Sequence, residues 1–371
     1  MKRFVLLVLA LVSGVLICGQ NSSATAYPTP EQSVFDTGRT AYGFFPSPPE
    51  LTEESVLATL QGIGEHGDVI LIQQALPWAD FLDSMDGVSG AIQDQRNMTV
   101  LAGQNRLEVI FVIDPLNGLD RSQFGPLPPQ LAGGNFGMPG IRTAFKNYAL
   151  RLAREFHPRY LGLASEINTY ADAHPDDFQN YVSLYREVYA AVKAESPGTQ
   201  VFVTFQWDDL NNAIPFDPTG GERYQTKWEQ IEVFEPYLDV WAISSYPFVA
   251  FDRAADIPPD YYTPLLTRTD KLLAVAEGGV NSRAIDQFKG TPQDQVDYLN
   301  AIHTQLGERL AFWIYLILND IDGEAYRDFL AQHGMQSNAD TILWFTAVGL
   351  RELDGRPKPA LQVWDTFHNA R

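Results

Sequence analysis

The feature that most constrains this chain is an alternation. Short apolar runs recur at 40–45, 68–74, 108–113, 160–166, 200–206, 240–246, 272–277 and 310–318, several of them rich in β-branched residues, with amphipathic segments among them. A strand buried on both faces reads as a continuous apolar run, because covering helices leave it no wet side. Several intervening segments keep helical spacing. Ile141, Phe145, Tyr148, Leu152 and Phe156 form one stripe, Phe178, Tyr181, Tyr185, Val188 and Val192 a second, and Val296, Leu299, Ile302 and Leu306 a third. Thr291 before Pro292 marks a helix start, a cap followed by Pro at the first helical position. Eight such runs in 371 residues predict an α/β chain of the (β/α)8 TIM-barrel type, one domain over 40–371. An open doubly wound sheet is the alternative. It would ordinarily carry a Gly-rich phosphate turn after its first strand, and the sequence has none.

The segment before the first run reads as an export signal. Lys2 and Arg3 lead into an apolar stretch over 4–17, and Ala24-Thr25-Ala26 offers a small-residue cleavage site. The expected signal peptide is therefore 1–26. The alternative is a lipoprotein signal ending before Cys18, against which stands the bulky Ile17. Residues 27–39, polar and Pro-containing, read as a linker. The apolar stretch is shorter than the ~20 residues a membrane-crossing helix needs. A secreted or extracellular protein is expected, a lipid-anchored one if Cys18 is the processed residue.

Charge narrows the partners. A formal net charge of −20 opposes binding to nucleic acid or anionic lipid. A neutral or cationic substrate fits better. Cys18 is the sole cysteine, so neither a disulfide framework nor a Cys-based metal site is expected. The six His lack metal-ligand spacing, and neither Asp208-Asp209 nor Asp320 with Asp322 has the spacing of a calcium loop. No cofactor motif is present, so no cofactor and no metal are expected, and a monomer is the expected state.

Two of the apolar runs stop on a carboxylate. Run 160–166 ends on Glu166 and run 272–277 on Glu277. In a barrel the catalytic groups sit where strands end at the C-terminal face. By strand count Glu166 ends the fourth and Glu277 the seventh, on opposite sides of the mouth. Two carboxyls about 5–5.5 Å apart suit retaining glycoside hydrolysis, one as acid/base and one as nucleophile. Ser165, Asn168, Gln206 and Trp207 lie at neighbouring strand ends and are candidate substrate contacts. Asp114 and Asn117, after the third run, are weaker candidate sugar ligands.

Glu166 and Glu277, with Ser244-Ser245-Tyr246-Pro247 and Ala311-Phe312-Trp313-Ile314-Tyr315, resemble the clan A retaining glycoside hydrolases, most closely the arabinogalactan endo-β-1,4-galactanase family. The resemblance implies Glu166 as acid/base, Glu277 as nucleophile, Tyr246 as the residue contacting the nucleophile, and Trp313 as the floor of the sugar site. It implies a carbohydrate substrate, with β-1,4-galactan as the family-level expectation. Two positions depart from the pattern. Ser165 stands where the clan usually has Asn, and Gln73-Gln74 where it often has Arg. A barrel impaired in catalysis that still binds carbohydrate is the alternative those departures suggest.

Overall fold

The computed structural model describes residues 33–215, 222–332 and 339–370. The expected signal peptide, Cys18 and the linker up to residue 32 lie outside the described residues. The strands are β1 Ala41–Phe44, β2 Val69–Ala75, β3 Glu108–Asp114, β4 Leu116–Asn117, β5 Asp120–Phe124, β6 Tyr160–Gly162, β7 Gln200–Phe202, β8 Thr204–Gln206, β9 Trp241–Ser245, β10 Leu273–Gly278 and β11 Leu310–Tyr315. Nine of them form one sheet in the order β7-β6-β3-β2-β1-β11-β10-β9-β8, and β4 and β5 pair separately as an antiparallel hairpin. Parallel pairing joins β1 to β11 and β2, β10 to β11, β6 to β3 and β7, and β8 to β9.

The two ends of that order are consecutive pieces of one run. β7 and β8 are separated only by Val203; the first pairs with β6 and the second with β9. The sheet thus returns on itself, and its nine assigned strands are eight staves of a (β/α)8 barrel. The expected strands are all present, several of them shorter: the 160–166 run keeps regular pairing only to Gly162. The helix Gly90–Gln104 has no counterpart among the expected elements, because Gln93, Asp94, Gln95 and Asn97 interrupt any apolar stripe.

Two compact units can be described within the chain. One takes in Gln73–Asp94 and Ile110–Ser244. Here the helices Pro139–Phe156 and Pro175–Glu195 pack side by side, and Phe178, Tyr181, Tyr185 and Phe205 gather around Phe234. The phenols in this cluster are not left orphaned: Tyr181 donates to the Leu163 carbonyl and Tyr185 to that of Tyr237. The other unit takes in the described residues up to Ile72, Gln95–Val109 and Ser245–Arg371. Its centre is Trp364 of the helix Pro359–Asn369, whose ring meets Tyr42, Phe44, Trp313 and Tyr315. The Trp364 indole donates to the His66 carbonyl at 2.8 Å, tying that helix to the end of the helix Glu53–His66. Thr291 caps the helix Pro292–Leu306 by accepting from the Asp294 N–H, as the sequence predicts. Among the described residues no helix is long and apolar enough to cross a membrane.

Candidate active site

Glu166 does not continue its strand. It adopts a left-handed backbone, φ 51°, and starts the helix Ile167–Ala173. That conformation is uncommon for a residue with a Cβ and is tolerated where surroundings enforce it. The enforcement is visible: the Glu166 N–H donates to Thr204 Oγ1 at 2.8 Å, and Thr204 Oγ1 in turn donates to Ser165 Oγ at 3.3 Å. The side chain is fully buried. Ser244 Oγ donates to one carboxyl oxygen and Arg121 Nε to the other, the latter at 3.3 Å. Burial pushes the Glu166 carboxyl up to about 7, against the opposing pull of Arg121 and the Ser244 hydrogen bond. A buried carboxyl that keeps its proton near neutrality is the form a general acid requires.

Arg121 is the residue that sequence reasoning missed. It sits on β5, inside the Pro- and Gly-rich stretch between β3 and the helix Pro139–Phe156, and is 1% exposed. Besides Glu166 it pairs with Asp114 at the end of β3. Asp114 also accepts from Gln73 Nε2 at 2.8 Å and from the Leu116 N–H at 3.2 Å. Asp114 is therefore engaged with protein donors rather than presented as a free sugar ligand. Gln73 occupies the strand-2 position where an Arg was sought; here a guanidinium arrives from the hairpin instead. Its one sequence signal was the length of a loop too long to be a mere connector.

Glu277 is 1% exposed near the end of β10. Tyr246 OH donates to its Oε1 at 2.9 Å, the contact the resemblance implied. The following Gly278 reflects tight quarters: a Cβ there would lie 2.7 Å from the Ser245 carbonyl oxygen and 2.3 Å from Tyr298 OH. Only a residue without a side chain lets the end of β10 approach β9 this closely.

Other expected contacts take different places. Trp313 does not floor a sugar site. It is fully buried and packs against Tyr42, Trp364 and Phe367, facing the helix Pro359–Asn369. The pleat decides this, since adjacent strand residues point to opposite faces. Asn168 and Gln206 are occupied with structural bonds. Asn168 accepts from the Gln206 N–H and donates to the Gln206 carbonyl and to Asp209 Oδ2. The Gln206 side chain accepts from the Asp209 N–H, capping the short helix Trp207–Leu210, and donates to Asp208. Trp207 is fully buried against Trp228. Ser165 is fully buried, its hydroxyl accepting from Thr204. Of the acids weighed for calcium, Asp209 lies 3.5 Å from the Lys227 ammonium and Asp320 lies 2.7 Å from that of Lys358.

No family model matches this sequence, and a search among curated proteins finds no match. Solved structures do share its fold. The exo-β-1,4-mannosidase Op5Man5 from Opitutaceae bacterium strain TAV5 aligns with TM-score 0.62 at 16% identity, over 90% of this chain and 59% of that one. A GH5_18 variant from Streptomyces cattleya, in complex with Manβ1-4GlcNAc, aligns with TM-score 0.64 at 16% identity, over 90% and 81%. A family 39 glycoside hydrolase from Bacteroides cellulosilyticus WH2 aligns with TM-score 0.56 at 16% identity, over 92% and 66%. The chain thus spans under two thirds of the length of the Opitutaceae protein, and identity at this level speaks to the barrel alone.

Proposed function

We propose that this chain is a retaining β-glycoside hydrolase of clan A type, with Glu166 as acid/base and Glu277 as nucleophile. The observation that carries the reading is the contrast between the two carboxyls. Glu166 is buried and holds its proton to about 7, ready to protonate a departing glycosidic oxygen. Glu277 has one oxygen oriented by the Tyr246 phenol at 2.9 Å, which suits attack on an anomeric carbon. Ser244 and Tyr246, two positions apart at the end of β9, supply the hydroxyls on the two acids.

In the first step Glu277 bonds to the anomeric carbon while Glu166 gives its proton to the leaving oxygen. In the second, Glu166 takes a proton from water, which displaces Glu277 and returns the sugar with retained configuration. Ser165 remains a candidate contact for the sugar, whereas Trp313, Asn168, Gln206 and Trp207 are left out of the site. The substrate class is a β-linked oligo- or polysaccharide. The sequence resemblance points to β-1,4-galactan, and the fold neighbours named for mannosides add β-1,4-mannosides to the substrates worth trying. Secretion follows the expected signal at 1–26.

The test is incubation with 2-deoxy-2-fluoro glycosides bearing a good leaving group, followed by peptide mass spectrometry. Covalent label on Glu277, with retained anomeric configuration of product by proton NMR, supports the proposal. Label elsewhere, inverted product, or full turnover by Glu277→Ala refutes it. Sugar binding with neither label nor turnover favours a barrel that binds carbohydrate without cleaving it.

A further inference from the structure

Two buried carboxyls share one guanidinium. Arg121 Nη1 pairs with Asp114 and Arg121 Nε with Glu166, and all three side chains are at most 5% exposed. If both acids were ionised the group would carry a net charge of −1 away from water, an expensive state that binding one proton removes. The donors around each acid decide where that proton goes. Asp114 accepts from three N–H groups, those of Gln73, Leu116 and Arg121; the Leu116 amide and the Arg121 guanidinium cannot accept in return, and only the Gln73 amide can turn to do so. Glu166 meets one N–H, that of Arg121, and the Ser244 hydroxyl. A hydroxyl can turn and accept, so Ser244 tolerates a protonated partner where an N–H does not.

We infer that Asp114 and Arg121 are positioning residues that lodge the shared proton on Glu166, so that the β4–β5 hairpin sets the protonation of the acid/base. The inference rests on the acid/base role proposed for Glu166 above. Glu277, which the proposed mechanism sets across from Glu166, adds a negative charge that is common to every variant below, and neutral groups also hold the cluster. Thr204 on β8 binds the Glu166 backbone, and Gln73 on β2 binds Asp114. Tyr181 of the helix Pro175–Glu195 is held un-ionised by burial and by the field of Asp114, and its OH donates to the Leu163 carbonyl.

Asp114→Asn and Arg121→Gln should move Glu166 in opposite directions. The first removes a like charge that competes for Arg121, so Glu166 should ionise at least about one pH unit lower; the second removes the cation, so it should ionise at least about one pH unit higher. The Glu166 carboxyl is followed by infrared difference spectroscopy, subtracting Glu166→Gln in each background, from pH 4 to 9 without substrate. In parallel, kcat/KM is measured against pH with aryl glycosides. The alkaline limb should track the infrared midpoint for poor leaving groups and matter far less for dinitrophenyl glycosides, which need no acid. An Asp114→Asn midpoint that stays or rises overturns the inference. If the midpoints move as stated but no glycoside is cleaved, the charge arrangement stands and the catalytic reading falls. Should Arg121→Gln fail to fold, the nearly isosteric Asp114→Asn decides alone.

Discussion

Glu166→Gln should gain stability relative to the parent as pH rises from 4.5 to about 7. In the native state the carboxyl is raised from its ordinary value of 4.5 to about 7, chiefly by burial. Between those values the folded chain binds more protons at this site than the unfolded chain does. Stability from this group is therefore complete below pH 4.5 and is lost as pH climbs through 7. A displacement of about 2.5 at 1.36 kcal/mol each makes the loss about 3 kcal/mol at pH 8. Gln does not titrate, so its barrel escapes that loss. It also gives up part of the Arg121 and Ser244 bonding, but that cost does not vary with pH in this window.

The diagnostic is thus the slope of the difference, not its absolute value. Urea unfolding of both proteins at pH 4, 5, 6, 7 and 8, with equal m-values confirming comparable transitions, gives the difference directly. It should grow by about 3 kcal/mol from pH 4.5 to 7.5 and then level off. Groups remote from Glu166 titrate alike in both proteins and drop out, among them Asp320, which burial raises to about 6. A difference that is flat, or that shrinks with pH, would show that Glu166 ionises in the native state at or below its ordinary value. That result would remove the physical basis for calling it an acid.

Two further outcomes separate site from scaffold. Tyr246→Phe removes the hydroxyl on Glu277 while keeping the ring; losing a hydrogen bond to a charged group, about 1.5–3 kcal/mol, should lower kcat by about 10- to 100-fold with little change in urea midpoint. Trp313→Ala should do the reverse, costing about 3–5 kcal/mol of stability in unfolding experiments while KM for glycosides stays near that of the parent, since its ring packs against Trp364 and Phe367.

Some of this was legible along the chain because it is local. Burial on both faces writes itself as an apolar run, and helical packing as a stripe every three or four residues. Those patterns sufficed for eight staves, for the Thr291 cap, and for one acid in β10 and another just beyond β6. The Ser-Tyr-Pro segment after β9 led to Tyr246, whose phenol does reach Glu277.

What the chain order did not reveal concerns facing and distance. Trp313 matched a family segment, but its side of the sheet depends on register, and one step along a strand exchanges the barrel interior for the helical layer. Asn168 and Gln206 looked free to bind substrate until the fold brought each to the other's backbone. Arg121 carried no motif at all; it reaches Glu166, forty-five positions on, only because the hairpin Leu116–Phe124 folds back over the end of β3. Sequence by itself determined the barrel and which acids close its apolar runs, because burial acts on neighbours in the chain. Tertiary structure alone decided which cation and hydroxyl meet Glu166, because charge and hydrogen bonding act through space between residues that share no local pattern.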